Sequence, residues 1–287
     1  MQNNDVIYDS RLLGIDRHNS IYNLAGTMGG VCIDAGAAAG MVTDKLLEAG
    51  ADHVIAFEPF PGNFPHFDNR IKNNEKVTFI KKAVGDHDGV SSFFVANCVP
   101  KGANSHWGKL PGYSSLGYLT DVERTTDERS IEVGVVRLED YLEQDITLLK
   151  MDLQGGELKA LVGAGDKISK VKACFIEFNL EWDVIDFLLN EGFIVFDTMF
   201  VGSTKVPIEE MDSLVTEAHI SLLSTGVDAI NGYLCNTPRN LPDYKTFLEK
   251  MKKEYFHFLQ TDLIAIRPEF LPSYIEAGLR CTSRRRA

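Results

Sequence analysis

Two acids and two glycines at fixed spacing carry the first chemical suggestion. Asp34, Gly36 and Gly40 lie in Val31-Cys32-Ile33-Asp34-Ala35-Gly36-Ala37-Ala38-Ala39-Gly40, and Glu58 closes His53-Val54-Ile55-Ala56-Phe57-Glu58. Each stretch reads as a short buried strand, joined by a turn of small residues and a helix over 41–49. Such a unit lets backbone N–H groups and a helix N-terminus face a ligand with no Cβ in the way. An acid ending the second strand is positioned to take the two hydroxyls of a ribose. The expectation is a nucleoside-containing ligand at the carboxyl edge of a parallel sheet.

The same residues bear on which ligand that is. Dinucleotide sites usually carry G-x-G-x-x-G, whose second glycine lets a pyrophosphate approach. This turn has only Gly36 and Gly40, with Asp34 beside it. An acid there repels a pyrophosphate and attracts the ammonium of an amino-acid moiety. That favours S-adenosyl-L-methionine (SAM) over NAD.

A second set of acids suits the other half of a methyl transfer. Asp152 ends the apolar run 146–151, Gln154-Gly155-Gly156-Glu157 opens a helix, and Glu177 ends 173–176. Displacement at a sulfonium needs alignment and, for a hydroxyl acceptor, a base. Asp152 is the first candidate for base or substrate orienter, with His106 and Glu177 as alternates. Asp152 could instead cap the helix over 155–157. Glu157 has a plain explanation too, because acids favour a helix's first turn. Asp152, Glu177 and Asn179 together form an oxygen-rich set of the kind hard cations take, so a divalent metal is a second reading of the same residues.

These residues need a scaffold, and the patterning supplies one. Strands are expected at 31–35, 53–58, 77–80, 90–96, 131–137, 146–152, 173–177, 193–197 and 261–266, with helices at 16–24, 41–49, 64–73, 155–163 and 183–190. Strands alternating with helices imply an α/β fold, a parallel sheet with helices on both faces. Residues 97–130 lose periodicity and hold His106, Trp107, Ser114 and Ser115. A loop of this length is usually functional or disordered, and its aromatic content favours function. Helices are expected at 211–224 and 243–259, with a turn at 236–241. The expected organisation is an N-terminal extension (1–29), a nucleotide-binding core (30–199), an insertion or cap (200–260), and a final strand and tail (261–287).

Composition excludes some classes. The 287 residues carry a net charge of -12, with 44% hydrophobic residues. An acidic chain is poorly suited to bulk nucleic acid or an anionic membrane, since both need clustered positive charge. No apolar run approaches the ~20 residues of a membrane span. The five cysteines are scattered without metal-type spacing. With no signal peptide apparent in Met1-Gln2-Asn3-Asn4-Asp5, the expected location is the cytoplasm. None of this sets the oligomeric state.

Three stretches together resemble the FkbM family of SAM-dependent methyltransferases. They are Ile33-Asp34-Ala35-Gly36-Ala37 with Ala56-Phe57-Glu58-Pro59 and Asn63-Phe64; Lys82-Ala83-Val84-Gly85-Asp86 with Gly89; and Leu149-Lys150-Met151-Asp152-Leu153-Gln154-Gly155-Gly156-Glu157 with Phe175-Ile176-Glu177. Arg137-Leu138-Glu139-Asp140-Tyr141 also fits. Ala38 stands where the family often has Asn. The resemblance implies a class I (Rossmann-like) methyltransferase fold, a seven-stranded, mostly parallel sheet with one antiparallel strand. It implies methylation of a hydroxyl on a sugar or small natural-product-like acceptor. By the same resemblance Asp34, Gly36, Ala37 and Gly40 surround the methionine part of SAM. Glu58 takes the ribose, with Pro59 and Phe60 beside it. Ala83 and Val84 flank the adenine, and Ser115 lines the pocket. Three other readings stay open: N-methylation on the same fold, a non-catalytic SAM-binding module, and an NAD-dependent oxidoreductase.

Overall fold

The structure is a computed structural model, which describes residues 6–15, 20–95, 117–118, 129–204, 220–222, 228–231, 239–254 and 256–283. The first elements are β1 (Val6–Asp9), α1 (Ile21–Met28), β2 (Val31–Ala35), α2 (Met41–Ala49), β3 (His53–Phe57), α3 (Phe64–Ile71), β4 (Val77–Ile80), β5 (Ala83–Gly85) and β6 (Gly89–Val95). Then come β7 (Gly117–Tyr118), β8 (Arg129–Arg137), β9 (Ile146–Met151), α4 (Glu157–Gly163), β10 (Ala173–Phe178), α5 (Trp182–Asn190) and β11 (Ile194–Asp197). The chain ends with β12 (Met199–Thr204), β13 (Ile220–Leu222), β14 (Asp228–Asn231), β15 (Arg239–Asn240), α6 (Leu241–Glu254), β16 (Phe256–Ile266) and α7 (Leu271–Ser283).

The main sheet runs β4-β3-β2-β9-β10-β16, and β11 pairs with the far side of β16. Every neighbour among β4, β3, β2, β9 and β10 is parallel, whereas β16 is antiparallel to both β10 and β11. These seven strands are the sheet expected above. The central ones are buried on both sides: all five residues of β2 and all six of β9 are buried. Continuous apolar strands such as these need helices on both faces. One core packs Ile33, Leu149 and Ile176 against Leu161, Val184 and Leu188 of α4 and α5. The other packs Cys32, Val54 and Leu148 against Leu24, Leu46 and Tyr274 of α1, α2 and α7.

The sheet is larger than seven strands. Among the described residues twelve strands belong to it, because β1, β12, β13, β14 and β15 extend its far side. Residues 6–9, within the expected extension, form β1 parallel to β11, and β15 adds to its other edge. A second sheet, β5-β8-β6-β7, stands apart, with β5 parallel to β8.

Several local expectations need correction. Residues 256–259 are strand, not the end of a helix: α6 stops at Glu254 and β16 starts at Phe256. Phe256 and Leu259 are buried in the main core, and sheet pairing with β12 overrides the helical spacing. Residues 220–222 are strand rather than helix, paired with β14, and residues 239–240 pair with β1 where a turn was expected. The helix α7 was not foreseen; its buried Tyr274 and Ala277 fall three apart on one face. No described helix is long and apolar enough to cross a membrane.

Close packing leaves a testable mark at Gly163, where α4 crosses β5. A Cβ there would lie 1.9 Å from the Gly85 carbonyl oxygen, a backbone atom that cannot move aside cheaply. Gly163→Ala should cost about 3 kcal/mol in urea unfolding, near the upper end for overpacking. Gly192→Ala, at φ +83° with nothing within 4 Å, should cost only about 1 kcal/mol through backbone strain. Equal costs would contradict this packing.

Candidate active site

The site forms where β2, β3, β9 and β10 end at one edge of the sheet. The chain turns sharply after β2 through Gly36 (φ +77°), Ala38 (φ +47°) and Gly40 (φ +80°). The N–H groups of Gly36 and Ala37 both donate to the Phe57 carbonyl, at 3.0 and 2.9 Å. Ala38 adopts a left-handed conformation that suits Asn or Gly better than Ala, and its N–H donates to Glu58 Oε2 at 2.8 Å. The other carboxylate oxygen of Glu58 accepts from the Phe60 N–H at 2.8 Å. Glu58 therefore faces the turn from the end of β3, as its spacing predicted.

Burial raises the Glu58 pKa above the ordinary carboxylate range, against hydrogen bonds from Phe60, Ala38 and the Asn63 side chain that lower it. Asn63 is itself 4% exposed, and its Oδ1 has no hydrogen-bond partner. A turn of small residues, a buried acid and an unsatisfied buried acceptor fit a ligand that brings hydroxyl donors, as a ribose does. Phe60 stacks on Phe93 with ring centroids 6.5 Å apart. Ala83 and Val84 form β5, almost wholly buried at 5% and 2%. Together they give the Glu58 side an apolar flank.

Asp34 differs from its expected arrangement. It is fully buried: Thr43 Oγ1 donates to its Oδ2 at 2.7 Å, and Lys150 Nζ lies 3.0 Å from its Oδ1. An open carboxylate for a ligand ammonium is absent from this geometry. The physical reason is its partner: Asp34 and Lys150 are direct neighbours in the parallel β2–β9 register, both inside buried strands. A charge there requires an opposite charge. Burial drives the Lys150 pKa down, but Asp34 and then Asp152 outweigh it, and the net shift is upward.

The loop after β9 presents the second group of acids. Asp152 N–H donates to the Ala35 carbonyl at 3.2 Å. A Cβ on Gly36 would fall 2.0 Å from the Asp152 carbonyl oxygen, so this backbone contact requires glycine. The Gln154 side-chain amide donates to Asp152 Oδ1 at 2.8 Å and to Glu177 Oε2 at 2.7 Å. Asn179 Nδ2 reaches the same Glu177 oxygen at 3.3 Å. An amide thus stands between the two carboxylates considered for a metal. Among the described residues, no group of three His, Cys, Asp or Glu is arranged to hold a metal ion.

Asp152 does not cap α4. The N-cap is Gly156, with no side-chain cap hydrogen bond, and Glu157 instead ties down the loop before it, its two oxygens accepting from the Leu153 and Gly155 N–H groups at 2.7 and 2.8 Å. These flank Gln154, which is held at φ +57°. Burial pushes the Glu157 carboxyl up to about 7. Burial, then the charge of Asp152, holds Glu177 well above the usual range. His106 and Ser115 lie outside the described residues.

Lys150, Gln154 and Asn63 were missed as site residues. The signal for Lys150 was present: a lysine inside an apolar strand, matched by an aspartate inside another. Gln154 and Asn63 gave none, because their roles depend on loop conformation.

The class this fold defines is an α/β protein with a mostly parallel central sheet, whose strand ends bring Glu58 and the Gly36 turn to the same edge as Asp152 and Glu177. The chain matches the FkbM methyltransferase domain over residues 34–195, more than half its length. It belongs to the FkbM methyltransferase family and is a methyltransferase. Among solved structures it is similar to methyltransferase FkbM from Methylobacillus flagellatus KT, at 19% identity and TM-score 0.40, over 59% of this chain. That match spans only 40% of the other chain. It is also similar to precorrin-6y C5,15-methyltransferase from Geobacter metallireducens GS-15 (12% identity, TM-score 0.37, 85% and 86% of the two chains). An rRNA methylase from Streptococcus thermophilus aligns at 9% identity and TM-score 0.39 over 88% of this chain and 98% of its own. No curated protein gives a significant match. The family assignment rests on the matched domain, since these structural likenesses are too distant to add to it.

The buried acids make stability depend on pH. Burial also pushes Asp197 and Asp262 up to about 7; Asp197 accepts from Thr261 Oγ1 at 2.6 Å, and Asp262 pairs with Glu177 in register. Each raised carboxyl binds its proton more tightly folded than unfolded. Its contribution is complete below the ordinary carboxylate range and is lost as pH rises through about 7. Urea unfolding should therefore report falling stability from about pH 5 to about pH 8, with a shallower fall in Asp197→Asn. A level or rising wild-type profile would contradict the assignment.

Proposed function

We propose that the protein is a SAM-dependent O-methyltransferase whose acceptor is a hydroxyl on a sugar or small natural-product-like molecule. The observation that carries this reading is the backbone contact between the Gly36 turn and the Asp152 loop. A cofactor held on the first and an acceptor held on the second would be neighbours. When bound, SAM supplies the electrophilic methyl group of an in-line displacement.

In this reading Glu58 accepts the ribose hydroxyls, with Pro59 and Phe60 beside it, and Ala83 and Val84 flank the adenine. Gly36, Ala37 and Gly40 offer backbone to the methionine part, while Asp34 acts through Lys150 and Thr43 rather than by direct contact. Asp152 orients the acceptor hydroxyl and takes its proton. Glu177, tied to Asp152 through Gln154, is the alternate base; His106 and Ser115 stay candidates on the long loop. The Gln154 bridge favours a mechanism without a divalent metal. The acidic balance favours a small-molecule or saccharide acceptor over bulk nucleic acid or a membrane. The cytoplasm is the proposed location, in keeping with the free, buried Cys32 and Cys174.

Calorimetric titration with S-adenosylhomocysteine should give micromolar binding to the wild type, about -8 kcal/mol. Glu58→Ala should weaken it at least about tenfold. NAD should not bind; tight NAD binding with none of S-adenosylhomocysteine would reverse the reading. A screen of hydroxylated saccharides with radiolabelled SAM should find an acceptor. With that acceptor, Asp152→Asn should lower the rate about 100-fold or more while S-adenosylhomocysteine affinity stays within a few-fold. Undiminished transfer by Asp152→Asn would remove Asp152 as the base.

A further inference from the structure

Lys150 is 3% exposed and stands under the cofactor turn on the strand that leads to Asp152. Its ammonium has three close oxygens: Gly36 O at 2.7 Å, Asp34 Oδ1 at 3.0 Å and Ala35 O at 3.3 Å. The two carbonyls accept hydrogen bonds from it, and the Asp34 carboxylate is an ion-pair partner. On the other side of the same peptide, the Ala37 N–H donates to the Phe57 carbonyl. The Gly36–Ala37 peptide is thereby held at both polar ends, by β3 through its N–H and by β9 through its carbonyl.

Fold stability alone does not account for this arrangement. A buried ion pair recovers its desolvation cost only partly, and apolar residues of similar volume usually serve the fold as well or better. What an apolar pair cannot do is hold the Gly36 and Ala35 carbonyls. Nor can it offset the acids: Asp152 and Glu177 both act on the Lys150 charge, and Lys150 in turn lowers the proton affinity of Glu58 and Asp262. The site edge has many carboxylates, and this cation lies beneath them.

We propose that Lys150 is a positioning residue for the cofactor, its ammonium orienting the Gly36 peptide and binding the turn to the Asp152 strand as one unit. The proposal rests on the reading of the turn as a SAM site. The buried pair is electrically neutral as a whole, so the turn can receive the carboxylate end of an amino acid that Asp34 alone would repel.

The test separates positioning from folding. Asp34→Asn/Lys150→Met removes both charges together and leaves neither one buried alone. Its thermal transition should stay cooperative and within a few degrees of wild type, while S-adenosylhomocysteine affinity by calorimetry falls at least about tenfold, the loss of one strong polar contact. A double variant that binds within twofold of wild type overturns the proposal. A second readout uses the unmodified protein. With 15N-labelled lysine, the Lys150 ammonium should give a slowly exchanging signal that shifts when S-adenosylhomocysteine is added. Saturating ligand that leaves that signal unmoved overturns the proposal even if the double variant does not fold. Failure of wild type to bind S-adenosylhomocysteine would remove the underlying site reading and this proposal with it, whereas wild-type binding with an indifferent Lys150 removes this proposal alone.

Discussion

The arrangement depends most on one constraint: two opposite charges in adjacent, fully buried strands must satisfy each other. Asp34 and Lys150 are register partners in β2 and β9, and neither reaches water. Desolvating either alone would cost several kcal/mol. The pair therefore fixes the β2–β9 alignment at the place where the chain leaves both strands. The Gly36 turn and the Asp152 loop inherit their relation from it, touching backbone to backbone through a glycine that tolerates no Cβ.

A second carboxylate disciplines the loop in a different way. Glu157 points back from the first turn of α4 to two N–H groups of the loop that leads into it. The consequence is steric: the residue between them is held in a left-handed conformation, and its long amide reaches two acids at once. Asp152 and Glu177 are thus held by a neutral donor rather than by each other. Two hydrogen bonds from one amide offset part of the repulsion between them.

How much of this was legible follows from what each feature depends on. The strand–turn–helix–strand unit and the place of Glu58 rest on local spacing and hydrophobic runs, which a single sequence displays, whereas the seven-strand core was implied by the family resemblance. Ala38 is instructive. Its family position often holds Asn, and here Ala takes the left-handed conformation regardless, because Glu58 holds its N–H. The role expected of Asp34 was misjudged because it depends on a residue more than a hundred positions away. The strand at 256–259 was misread because helical spacing was local while its sheet partners were not. Gln154 and Asn63 act through loop geometry, which periodicity does not describe.

The long strand β16 carries an implication for how the molecule is made. Its second half lies between β10 and β11, and its first half pairs with β12, yet in sequence it follows all three. Strand β1 belongs to the same half of the sheet and precedes β2 in sequence. During synthesis the strands from β2 to β9 can pair as they emerge, but β10 and β11 lack their shared neighbour until β16 has followed them, after β12 to β15 and α6. Strand β1 must also wait for β11 before it finds an edge. Late, long-range pairing of this kind slows closure and leaves strand edges open to other chains. On the ribosome, the half that carries the Gly36 turn can therefore form early, and the opposite half is the one in need of protection.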